Sequence, residues 1–70
     1  MDKKFQDIRY INSACEVVFI MRQVNIKEIN MHETSIEIFI NTINPITGKI
    51  EENPACIFLP KLKGYKLVIE

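Results

Sequence analysis

The side chains able to do chemistry in this chain are few, and none stands in a frame that a reaction needs. His32 is the sole histidine. It lies in a polar stretch, NMHET, that reads as a turn, with no GxSxG or HExxH pattern around it. A general base needs a partner and a pocket, so His32 reads as an exposed turn residue. Cys15 and Cys56 are far apart and form no CxxC. Together with His32 they offer three scattered ligands, where a structural zinc site takes four at short characteristic spacings. Two isolated cysteines in apolar stretches read as reduced, buried and inert, with a Cys15–Cys56 disulfide left open. Glu51 and Glu52 precede Asn53-Pro54 and read as solvated residues beside a turn, because a calcium loop needs more oxygen ligands at set positions. The two glycines, Gly48 and Gly64, build no phosphate-cradling loop. The expectation is a protein that is not an enzyme and needs neither metal nor cofactor.

One cluster could bind rather than react. PKLKGYK places Lys61, Lys63 and Lys66 around Tyr65. Lysines beside an aromatic ring can hold a nucleic-acid backbone and stack a base, as small β-barrels do on single strands. The same lysines can instead keep an edge strand from aggregating. Nine Lys plus Arg against nine Asp plus Glu leave a net charge of zero. The broad positive field of a nucleic-acid binder is therefore missing, and that reading takes second place.

The elements that must carry these residues are strands. Seventy residues make a single domain, 1–70. A chain this short buries only about 60% of the surface its unfolded form exposes, so self-association is a common source of extra stability. Isoleucine occurs thirteen times against two alanines and two glycines, which suits a pleated surface better than a helix. It also fits an AT-rich genome. The charged start, MDKKFQDIRY, is followed by no apolar signal core. The longest aliphatic run, 17–21, is too short to span a bilayer. Both features point to a cytoplasmic protein.

Residues 3–12 fit either period: Ile8 and Tyr10 alternate like a strand, while Phe5, Ile8 and Ile11 recur like a helix. Ser13 and Glu16 form a capping-box pattern that would open a helix over residues 14–23. Against it, EVVFI is β-branched, aromatic and apolar on both sides, which favours a strand covered on both faces. Val24 and Ile26 continue the alternation. The phase slips near Glu28, as a bulge or a strand end would require. A turn centred on His32 would pair Ile26 with Ile38, Val24 with Ile40, Lys27 with Glu37 and Asn25 with Phe39. Asn44-Pro45 with Gly48 reads as a turn, and Asn53-Pro54 reads as another. ACIFL is a two-sided strand stopped by Pro60, and KLKG turns the chain into YKLVIE, with Tyr65, Leu67 and Ile69 inward. The expected fold is mainly β: a small antiparallel sheet or barrel of four to six strands, with one short helix as the α+β alternative.

Phe39 is the residue without an obvious home. It falls on the polar side of SIEIFIN, with Asn25, Glu37 and Asn41. Val18, Ile20, Phe58 and Val68 also point away from the main apolar face. Such strands need a second cover, which either residues 5–11 or a partner could supply. An exposed apolar patch on a small protein marks an interface. The reading is therefore a non-catalytic protein-binding module that self-associates as a homodimer, with Phe39, Asn25, Glu37 and Asn41 at the contact. Size, neutrality and composition suit a small accessory or inhibitory protein of a low-GC bacterium or its phage. The alternative is a barrel that binds single-stranded nucleic acid through Lys61, Lys63, Tyr65 and Lys66. No membrane association is expected.

Overall fold

A computed structural model describes residues 4–70. Residues 1–3, the start of the charged N-terminal stretch, lie outside it. Five strands are formed: β1 (Gln6–Ile11), β2 (Val17–Met31), β3 (Ser35–Ile43), β4 (Ile50–Pro60) and β5 (Lys66–Ile69). They make one antiparallel sheet in the order β4-β3-β2-β1-β5, with no helix among the described residues. The mainly β reading holds, and the helical alternatives do not.

Why no helix starts at Ser13 is visible in the first hairpin. The Asn12 side chain takes the capping role, its Oδ1 accepting from the backbone N–H of Ala14 and of Glu16, both at 2.9 Å. The Asn12 N–H donates to the Glu16 carbonyl, and the Cys15 N–H to the Asn12 carbonyl. Cys15 then adopts φ 63, a left-handed conformation that closes a tight hairpin and blocks a helix. The residues beyond Glu16 go straight into β2, where their β-branched side chains fit the pleat.

The sheet curls because β2 is bulged three times. Tyr10 pairs with Phe19 and Ile11 with Val17, which leaves Val18 extra. Gln6 pairs with Val24 and Ile8 with Met21, so Arg22 and Gln23 together oppose Asp7. At this second bulge Gln23 has φ 56, and its N–H donates to Asp7 Oδ1 at 3.0 Å. The third extra residue is Lys27, between the pairs Ile26–Ile40 and Glu28–Phe39. This last bulge accounts for the phase slip in the sequence. Bulges bend a strand and sharpen its twist, so the first half of β2 pairs with β1 and the second half with β3.

The curled sheet folds its inner faces onto each other. Ile8 and Tyr10 of β1 join Ile36 and Ile38 of β3 and Leu59 of β4 in one buried cluster. Phe19, Met21, Val24, Ile26, Ile40, Ile57, Tyr65 and Leu67 pack around it. Tyr10 ties the two ends of the sheet together. Its hydroxyl donates to the Pro60 carbonyl and accepts from the Leu62 N–H at 3.3 Å. These partners stand where the chain leaves β4 at one sheet edge and crosses to β5 at the other. The expected turn glycines fall as read, Gly48 with φ 71 and Gly64 with φ 82.

Four expectations are corrected. The β2–β3 turn lies at Glu33–Thr34, closed by the His32 N–H on the Ser35 carbonyl, not at His32. Ile26 therefore pairs with Ile40, Asn25 with Asn41, Asn30 with Glu37 and Glu28 with Phe39; beyond the bulge the shift is even, so those side chains keep their faces. Asn53-Pro54 is not a turn between elements. It lies inside β4, where Glu52, Asn53 and Pro54 bulge out between the pairs Ile40–Ala55 and Thr42–Glu51. An edge strand tolerates a proline there because no neighbour needs its N–H. Residues 6–11 do not cover the outer face: they form β1, which is paired on both sides. Finally, Cys15 and Cys56 are exposed and free, not buried. Cys15 sits in a turn, and Cys56 points outward from a strand whose inward residues are its neighbours.

Candidate functional site

The most distinctive surface lies on the outer side of β3 and β4. Along β3, Ile36, Ile38 and Ile40 turn to the core, so Glu37, Phe39 and Asn41 turn out. Phe39 is half-buried and stands between Glu28 on β2 and Cys56 on β4. Next to it Phe58 pairs with Glu37 and is 66% exposed. Phe39, Cys56 and Phe58 thus form an apolar strip that reaches the outermost strand. Phe58 was legible only as an outward residue of a two-sided strand. That it neighbours Phe39 follows from the β3–β4 register, which sequence did not provide.

Polar groups frame this strip. His32 Nε2 contacts Glu37 Oε1, and the Cys56 thiol lies 4.0 Å from Glu37 Oε2. Partial removal of water by its surroundings raises the thiol pKa, and the nearby negative charge of Glu37 raises it further. A thiol held in its neutral form is a poor nucleophile. At the other end, Asn41 Nδ2 donates to Asn25 Oδ1 at 2.9 Å, and Asn25 Nδ2 donates to the Lys4 carbonyl at 2.8 Å. Asn25 and Asn41 therefore fasten the entry of the chain to the outer face. Asn41 Oδ1 is buried and has no partner among the described residues.

The four residues read together in sequence, Phe39, Asn25, Glu37 and Asn41, do share one face. Lys61, Lys63 and Lys66 are exposed. Tyr65, by contrast, packs against the core, its ring centroid 5.3 Å from that of Tyr10 at a 49° tilt. Its ring packs beside another ring rather than standing apart with the lysines.

Among the described residues no cavity forms, and no three His, Cys, Asp or Glu side chains gather as metal ligands. Among the described residues no helix is long and apolar enough to cross a membrane. The fold and this surface define a class: a small curled β-sheet domain with an apolar outer strip ending at an unpaired strand edge. Beyond that class, neither family models, characterised proteins nor solved structures offer a match to the chain.

Proposed function

We propose that the chain is a non-catalytic protein-binding module that holds its partner on the outer strip of β3 and β4 and along the free edge of β4. The observation that carries this reading is Phe58. A phenylalanine two-thirds exposed, beside Phe39 and Cys56 and on an edge strand, gives a partner both apolar area and unpaired backbone. That combination is what strand addition uses: main-chain hydrogen bonds supply affinity and alternate side chains supply selectivity.

The nucleic-acid reading has less support. The charge balance is even, and Tyr65 packs beside Tyr10 at the core. A small accessory or inhibitory role fits a module of this size, its target being the partner that selection must find.

The test is a selection of random displayed peptides on the immobilised protein, counter-selected against a Phe39→Ser, Phe58→Ser double variant. Extended peptides with alternating apolar residues should be retained by the parent and lost on the variant. If parent and variant retain the same peptides, or a monomeric parent retains none, the strip is not a binding surface.

A further inference from the structure

Which backbone groups of β4 are free follows from the ladder. The Lys61 N–H donates to the Thr34 carbonyl, so this pair is hydrogen-bonded. Antiparallel pairs alternate between bonded and non-bonded. Leu59, Ile57 and Ala55, opposite Ile36, Ile38 and Ile40, are therefore the β4 residues that bond β3. The N–H and C=O groups of Cys56 and Phe58 point away from the sheet. Pro54 and Pro60 flank this window and present no N–H to its ends. The two prolines are equidistant from Ile57.

The charges on either side of this window are arranged the same way. Glu51 and Glu52 stand before the window, Lys61 and Lys63 after it, and Ala55–Leu59 between them carries no charge. A parallel neighbour of the same sequence would set like charges side by side. An antiparallel one sets Glu51 and Glu52 near Lys63 and Lys61 at both ends.

We propose that the occupant of the β4 edge is a second copy of this chain, paired antiparallel about a two-fold axis through Ile57. This rests on the protein-binding reading above and names its partner. In that register Cys56 of each copy faces Phe58 of the other, and the two residues exchange both backbone hydrogen bonds, four across the axis. Pro54 faces Pro60, where neither offers an N–H, so the ladder between the copies ends there. The apolar strip then runs unbroken over two sheets, Phe39 and Cys56 of one copy continuing into Phe58 of the next. The contact is isologous and closes at two copies.

Sedimentation equilibrium over a wide concentration range, with amide hydrogen exchange at both extremes, tests the pairing. The expected result is a mass moving from 8.2 kDa to twice that value, with the Cys56 and Phe58 amides slowing at least tenfold in the dimer. Phe58→Lys places a cation opposite Glu37 within the chain and a charge on the edge. It should stay folded by circular dichroism and remain a monomer. The proposal is overturned by a monomer at every concentration, by a dimer whose Cys56 and Phe58 amides exchange freely, or by a dimer that Phe58→Lys leaves intact. It is also overturned by larger rings in which the Leu67 and Ile69 amides are protected, since that would mean β4 pairs with β5 of a neighbour. A monomer that still selects peptides through Phe58 removes the self-pairing alone. A monomer that selects none removes the module reading as well.

Discussion

The two halves of the curled sheet treat their outer faces differently. On the β5-β1-β2 side, Val18 and Ile20 are exposed, at 52% and 42%, and Val68 pairs with Arg9. Arg9 sits amid these residues, its guanidinium 2.9 Å from Glu70 and 3.8 Å from Asp7. A cationic side chain standing between apolar neighbours, its head held by carboxylates, puts charge at the centre of that face. The outer edge there is β5, only four residues long, and short edge strands resist pairing. On the β2-β3-β4 side the outer face has two phenylalanines and an edge strand of eleven residues. Both halves expose apolar area, but one is guarded and the other open. Exposure alone thus does not locate an interface; exposure beside unpaired backbone does.

The sharpest way to break that comparison is to contrast neighbours on opposite faces of β3. Ile38 is fully buried, and Ile38→Ala should cost about 3 kcal/mol. Phe39→Ala, next in sequence but half-exposed, should cost about 1 kcal/mol in the monomer. Urea unfolding at low protein concentration measures both. Equal losses would make the outer strip part of the folding core and remove its availability to a partner.

Sequence revealed the faces better than the neighbours. Alternation alone placed Val18, Ile20, Phe39, Phe58 and Val68 outside and Ile36 and Ile38 inside, because side-chain direction in a strand is local. Register is not local. It depended on the turn at Glu33–Thr34, which no residue type marks, and on the Lys27 bulge, whose phase slip was legible while the pairing it sets was not. The Glu51–Pro54 stretch misled for a related reason: Asn-Pro signals a break in the ladder, and a bulge in an edge strand satisfies that signal as well as a turn does. The Asn12 cap was hidden because Ser13 and Glu16 offered a helix start of equal local quality.

Next in size are contacts where the two halves meet. Tyr10→Phe removes the hydroxyl that bridges the Pro60 carbonyl and the Leu62 N–H. A loss of about 1–2 kcal/mol is expected by urea unfolding. Gly64→Ala should cost a similar amount, since φ is 82 and a new Cβ would stand 3.1 Å from Ser13 Cβ. Gly48→Ala has the backbone strain alone, with open space around it, and should cost less. A Gly48 effect equal to that of Gly64 would show that the contact between the first hairpin and the β4–β5 crossing contributes nothing.

Smaller still, and of opposite sign, is Cys15→Gly. The left-handed φ of 63 costs a side chain about 1 kcal/mol. Glycine loses more chain entropy on folding, which offsets part of the relief. A net gain of about 0.5 kcal/mol is expected, read as a rise in the urea midpoint. No gain would mean that the Asn12 hydrogen bonds already hold this hairpin without strain.

The smallest effect concerns reactivity rather than stability. The Cys56 thiol titrates above the ordinary thiol range because its surroundings withdraw water from it and because Glu37 stands close by. A raised folded-state pKa favours the native state below the ordinary thiol pKa, and that contribution fades as pH climbs through the raised value. With Cys15→Ser as background, alkylation of Cys56 in dilute protein should lag a free cysteine peptide at pH 8 and catch up at higher pH. Glu37→Gln removes the charge and keeps the side chain's shape. It should speed alkylation a few-fold at pH 8 without restoring the peptide rate, since the desolvation remains. A Glu37→Gln rate unchanged from the parent would detach the thiol from its carboxylate neighbour. The polar frame of the outer strip would then be a matter of proximity only, and the contrast with the ion-paired Arg9 face would rest on β4 backbone alone.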